Sequence, residues 1–421
     1  MTTKPTYTPA LRVPDFLNDG EWEVKRLGEI AEKVTSKNKS NEQLPVLTNS
    51  ATEGVVNQQD YFDREIVTRE NLTNYHIIEL NDFVYNPRVS VAAPVGAISS
   101  NKIGIGIMSP LYKIFKFKEG NIDFFEQYFR TNCWHQYLKD KANFGARFDR
   151  MNISNEDFFN LPIPFPPLAE QRRIAACLSA LDEMLAATNG KLEQLKAYKK
   201  GLMQNLFVSS MGGGKSLNIN YLQIPKLRFP EFYDEKEWIY YNGDKMFEPI
   251  VNKNHNSDLP VLAITQDQGA IPRDLIDYNV IVSDKSIEGY KVVEIGDFII
   301  SLRSFQGGIE YSNYKGLCSP AYIVLRKRND DVCDDFYRYY FKSNQYIQDL
   351  NRNLEGIRDG KMVSYKQFSD IMIPCPKYEE QRKIASCLFA MDDQINAYTE
   401  KVGLLGQYKI GLMQRMFPQT K

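Results

Sequence analysis

The chain has 421 residues, 43% of them hydrophobic and 25% charged, which is the make-up of a water-soluble protein with roughly two to four domains. Lys and Arg number 52 against 53 Asp and Glu, and a net charge of −1 excludes a globally basic nucleic-acid binder. Any DNA binding must rest on local basic faces. The six cysteines form no CxxC, and His76, His135 and His255 show no metal-ligand spacing, so a disulfide framework and a zinc site are not expected. Cys177 and Cys387 read as small hydrophobes beside a helix seam. No secretory h-region and no long apolar run is present, so the expected location is cytoplasmic.

Residues 1–9 read as a loose polar arm. Leu11-Arg12-Val13-Pro14-Asp15-Phe16 follows, with Trp22 beyond it. Leu227-Arg228-Phe229-Pro230-Glu231-Phe232 echoes it, with Trp238 at the same distance. Sparse matches continue in order: Leu44–Leu47 with Leu259–Leu262, Gly54 with Gly269, Asp82-Phe83 with Asp297-Phe298, Arg88 with Arg303, and Gly145/Arg147/Met151 with Gly356/Arg358/Met362. The texture is β-rich with Gly/Pro/Asn punctuation. Two amphipathic helices are expected at 124–138 and 335–350, their aromatics facing the core. Proline runs at 161–167 and 371–376 stop the strands, and Pro167 is placed to open a helix with Glu170 near its positive end.

The strongest repeat begins at Glu170 and Glu380, a shift of 210 residues (380 − 170), and ends at Phe207 and Phe417. Half of the aligned residues are identical, so the chain is an internal duplication. Each copy reads as one helix with a heptad seam. The first seam carries Ile174, Leu178, Leu181, Leu185, Leu192, Leu195, Leu202 and Leu206; the second carries Ile384, Leu388, Met391, Ile395, Val402, Leu405, Leu412 and Met416. Lys199 and Lys409 share one seam position, where a lysine either sets register or snorkels at a frayed end. Asn189-Gly190 is a point where the first helix is expected to break or kink. The fold class is α+β: globular domains at 1–165 and 211–375 alternate with long helices at 166–210 and 376–421 that pair on each other. Ser209–Gly214 reads as a flexible joint.

Catalytic signatures are missing. Gly212–Ser216 ends like a phosphate loop but has Ser209 where the first glycine belongs, and it follows a helix. Asn86-Pro87-Arg88-Val89 begins like an amino-methyltransferase tetrapeptide but lacks its second proline and aromatic. No GxGxxG, GxSxG or HExxH occurs.

The ordered pairs LRVPDF/LRFPEF, each with its following Trp, the GxR…M stretches, and IPFPPLAEQRRIAACLSALDEML with its echo IPCPKYEEQRKIASCLFAMDDQI resemble the specificity subunits of type I restriction-modification enzymes. The resemblance covers nearly the whole chain. It implies two target recognition domains, each reading one half of a bipartite double-stranded DNA site. It implies an antiparallel helical spacer that docks two methyltransferase subunits, with restriction subunits joining in the full complex. This chain would bind no cofactor and catalyse nothing, and S-adenosylmethionine, ATP and Mg2+ would belong to the partners. The rival readings are a protein-binding scaffold on a coiled coil without DNA, and an enzyme of unrecognised type.

The repeat also sorts residues. Positions alike in both halves suit phosphate contact or a shared fold role, and loops that differ suit base readout. Arg88, Arg303, Arg147 and Arg358 fall in the first class, with Lys361 beside them, and either grip DNA or form structural salt bridges. Lys37, Asn38, Lys39, Asn49 and Ser50, with Lys253, Asn254, Thr265 and Gln266, fall in the second class, and either read bases or form solvated turns.

Overall fold

The computed structural model describes residues 6–61, 69–144, 149–207, 225–256, 258–276, 287–352 and 363–417. It divides into two units. The first comprises Met1–Asn189 with Glu400–Lys421, and the second comprises Gly190–Thr399. Each therefore holds one globular segment, one end of the first long helix (Leu168–Leu206) and the opposite end of the second (Tyr378–Met416).

The two globular segments repeat one design. In unit one an antiparallel sheet orders its strands Ala31–Lys33, Lys113–Phe117, Phe83–Asn86, Ala97–Ser100. In unit two the order is Phe247–Ile250, Ile323–Lys327, Phe298–Ile300, Glu310–Tyr311. An aromatic helix packs behind each sheet, Ile122–Phe129 in the first and Asp334–Tyr340 in the second. Phe124, Phe125, Tyr128 and Phe129 are buried, and Phe117 stacks on Phe125 at 3.8 Å between ring centroids. Burying such large rings is what gives each segment its core.

The aromatic helices are shorter than their sequence pattern predicts, and each is followed by a separate second helix, His135–Lys141 or Asn344–Arg352. Hydroxyl groups make the break. Thr131 turns its Oγ1 onto the Tyr128 carbonyl and accepts from the Cys133 N–H. Ser343 accepts from the Tyr346 N–H and restarts the helix. Such side chains compete with the helical ladder for backbone partners.

Repeated corner pieces join each segment to its long helix. Arg12 donates to both oxygens of Glu170, at 2.8 and 2.7 Å, and Trp22 Nε1 donates to the same carboxylate at 3.1 Å. Arg228 grips Glu380 in the same fork, at 2.7 Å twice. All four charges are nearly fully buried. Bidentate pairing satisfies them there. Gln171 donates to the Pro166 carbonyl and accepts the Asn121 N–H, while Gln381 donates to the Pro376 carbonyl and accepts the Cys333 N–H. The Arg of LRVPDF and the EQ of each helix start thus form one joint, built twice.

The first long helix runs without interruption through Gly190, so the expected break does not occur. A side chain at Gly190 would meet open space, and a solvent-facing glycine inside a long helix lowers local propensity without ending it. In unit one Ile174, Ala175 and Leu178 share a core with Met413, Met416 and Phe417, while Asp182 meets Lys409, so the two helices run antiparallel. In unit two Leu206 and Phe207 share a core with Ile384, Ala385 and Leu388, and Lys199 meets Asp392, again antiparallel. Seam residues Leu181, Leu192, Leu195 and Met391 are buried; Leu185, Leu202, Ile395, Val402, Leu405 and Leu412 are half-buried.

Candidate nucleic-acid interface

A β-hairpin stands beside each sheet. Leu47–Ser50 pairs with Gly54–Asn57, and Leu262–Thr265 pairs with Gly269–Pro272. The turn residues Gly54 and Gly269 have φ of +72° and +74°. A Cβ at Gly269 would lie 2.7 Å from the Tyr311 carbonyl oxygen, so both conformation and space require glycine there.

The hairpin side chains divide by role. Asn49 is buried and donates its amide to the carbonyls of Val84 and Ala97, at 2.9 and 3.1 Å. Asn38 is also buried: its amide donates to the Glu42 carbonyl and its oxygen accepts the Glu42 N–H. Their amide donors, which readout of an adenine edge would use, are engaged with the backbone, so both serve the fold. Ser50 accepts from the N–H groups of Thr52 and Glu53, and Thr265 accepts from the Gln268 N–H, so each hydroxyl closes its hairpin tip. Gln266 is exposed at the second tip, its amide 3.4 Å from the Arg303 carbonyl.

The structure brings the hairpins next to the repeated arginines. Asn86 donates its amide to the Asn49 carbonyl, and its own oxygen accepts the Arg88 N–H. Arg88 is exposed and forms an antiparallel bridge with Arg150. Residues opposed in such a bridge share one face, and like charges there repel. Among the described residues, the acid paired with Arg150 is its neighbour Asp149 at 4.0 Å. Among the described residues Arg88 meets no acid, and neither does Arg303, which is exposed beside Gln266. Exposed arginines such as Arg88 and Arg303, which among the described residues meet no acid, suit a polyanion surface.

Lys342 was not singled out by the sequence because it belongs to no repeated motif. It donates to the carbonyls of Gln266 and Gly307 and to Glu310, holding the second hairpin tip from beneath. Burial pushes the Glu310 carboxyl up, and Lys342 opposes that shift. Arg150 was legible only as a neighbour of Met151 in the GxR…M stretch. Lys37, Lys39, Lys253 and Asn254 are exposed and flank the strands His76–Ile78 and Lys291–Val293, and among the described residues no hydrogen bond or bridge joins them to the hairpins. Arg147, Arg358, Lys361 and the Gly212–Ser216 stretch lie outside the described residues. Among the described residues no cluster suited to a metal ion occurs, and no helix is long and apolar enough to cross a membrane.

A family model described as the type I restriction modification DNA specificity domain matches this chain twice, over residues 19–197 and 239–403. The chain belongs to that family. Both matched stretches carry a hairpin, a repeated arginine and the glutamate of the Arg–Glu corner. The chain is 28% identical over 277 residues to the putative type I restriction enzyme MjaX specificity subunit of Methanocaldococcus jannaschii, covering 64% of this chain and 60% of that protein. It therefore spans less than two thirds of that relative's length. It is 25% identical over 404 residues to the type I restriction enzyme MjaVIII specificity subunit of the same organism, covering 91% of this chain and 88% of that protein. Among solved structures, the S subunit of the type I restriction-modification system of M. genitalium superposes with a TM-score of 0.55 at 14% identity, covering 99% of this chain and all of that one. A chain from a structural study of type I R-M complex assembly and conformational transition superposes with a TM-score of 0.54 at 17% identity, covering 94% and 97%. These likenesses show the fold: two specificity domains and two long helices.

Proposed function

We propose that the chain is the non-catalytic, DNA-reading subunit of a type I restriction-modification complex. Each specificity domain reads one half of a bipartite double-stranded target, and the paired helices set the half-site separation. The observation that carries this reading is the duplication itself. Hairpin, arginine and helix joint all occur twice on one chain, yet the hairpin tips differ: Ser50-Ala51-Thr52-Glu53 in the first and Thr265-Gln266-Asp267-Gln268 in the second. Shared parts grip a backbone common to all DNA, and differing tips read different bases.

The long helices support docking of two copies of one methyltransferase partner. Tyr198 and Tyr408 occupy one repeat position and are exposed to 59% and 62%. Large aromatics left outside at equivalent points suit a partner that binds each helix alike. The partners supply S-adenosylmethionine for methyl transfer, and restriction subunits supply ATP- and Mg2+-dependent cleavage. All of this chemistry belongs in the cytoplasm, where the DNA is. The protein-scaffold reading has no support from the family match.

Gel shifts and methylation assays on the purified chain, with and without a co-purified methyltransferase, test the proposal. DNA binding without methyl transfer is expected from the chain alone, and site-specific adenine methylation is expected from the complex. Methyl transfer by the partner-free chain would contradict it.

A further inference from the structure

One aspartate on each long helix occupies the same repeat position, Asp182 and Asp392 (182 + 210). Both carboxylates are partly buried. In unit one Asp182 accepts from Lys409 of the second long helix, from Gln127 Nε2 at 3.0 Å and from Arg130 Nη1 at 3.0 Å. Gln127 lies on the aromatic helix Ile122–Phe129, and Arg130 caps it. One carboxylate therefore ties together both long helices and the specificity domain.

Unit two builds the same junction from other residues. Asp392 accepts from Lys199 of the first long helix and from Tyr339 Oη at 2.7 Å. The Lys199 ammonium also lies 5.1 Å from the centre of the Tyr339 ring. Gln127 and Tyr339 hold equivalent places. Asn121 and Cys333 each donate a main-chain N–H to the repeated glutamine, and each donor group stands six residues further on (121 + 6 and 333 + 6). An amide and a phenol thus reach one kind of acceptor, and what the two halves share is the link and not the residue type.

A seam of Leu, Ile, Val and Met tolerates sliding, because such side chains fill each other's places. A partly buried Lys–Asp pair does not, since a slip leaves two charges unpaired. A further hydrogen bond from the specificity domain to the same carboxylate adds direction to that register. We propose that Asp182 and Asp392 are positioning residues. They set at once the register of the helix pair and the angle at which each specificity domain stands on it, and so the spacing and helical phase of the two half-sites. DNA turns once in about 10 base pairs, so a small change of angle at either joint takes a reading surface out of phase.

This inference rests on the bipartite DNA-reading function proposed above, and the experiment separates the two. The full chain, co-expressed with its methyltransferase partner, is compared with Tyr339→Phe and with Gln127→Leu/Arg130→Gln. These variants release the specificity domain from the joint and leave both Lys–Asp pairs. Methylated-site mapping first defines the half-sites and spacer of the parent. A parent without a bipartite methylated site would overturn the DNA-reading function before any variant is compared. Equilibrium binding then measures duplexes with the parental spacer and with spacers one base pair shorter and longer. The half-site sequences are expected to stay unchanged, while preference for the parental spacer falls about tenfold, the factor carried by one hydrogen bond to a charged group. Tyr339→Phe removes a single hydroxyl and keeps the ring in place, so it reports even where the double variant folds poorly. Preference kept within about twofold of the parent in Tyr339→Phe would overturn the inference.

Discussion

Arg88 opposes Arg150 across an antiparallel bridge, and Arg303 stands beside the tip that carries Gln266. A fold gains nothing from placing two like charges opposite each other on one face, whereas a phosphate backbone relieves that repulsion. Arg88→Ala and Arg303→Ala are expected to weaken binding, the first on one half-site and the second on the other. Each should lower the slope of log affinity against log salt by about one if it contacts phosphate. Binding titrations over a range of salt on duplexes altered in one half-site check this, and parental affinity in both variants would make the arginines structural. The repeat exposes these two positions because both halves keep them. It does not reveal that Asn38 and Asn49 are buried. A polar residue on a strand or turn reads the same whichever way it points, and only the packed carbonyls of Val84 and Ala97 show what the Asn49 amide does.

At the scale of elements, the long helices were legible because heptad spacing persists over many turns. The joints that fix them were not, since they depend on side chains far apart in sequence. Arg12 and Glu170 stand 158 residues apart and Gln127 and Asp182 stand 55 apart. The broken aromatic helices were equally hidden, because Thr131 and Ser343 look like ordinary polar positions until their hydroxyls take backbone partners. The Asp182 joint carries a pH signature. Burial alone would raise this carboxyl, but Lys409, Gln127 and Arg130 outweigh burial and hold it below its usual range. A carboxyl lowered in the folded state adds stability above its unfolded pKa, and that stability is lost as pH falls through the lowered value. The melting temperature of Asp182→Asn should therefore lie below the parent's at neutral pH, and the gap should narrow once the pH drops below about 4. Thermal melts between neutral and acid pH measure it, and a gap independent of pH would show that the charge of Asp182 does not stabilise the fold.

At the scale of the whole molecule, one gene segment has been used twice. Sheet order, aromatic helix, Arg–Glu corner and lysine–aspartate joint all recur, while the hairpin tips and the loops around residues 37–39 and 253–254 diverge. A protein built this way should have separable halves of specificity. The direct test exchanges residues 10–165 for the matching segment of a relative, co-expresses the chimera with the methyltransferase partner, and maps methylated adenines across genomic DNA. One half of the recognised sequence is expected to change, with the other half and the spacer retained. A chimera that changes both half-sites, or a parent that methylates no bipartite site, would contradict the account of two independent readers on one helical spacer.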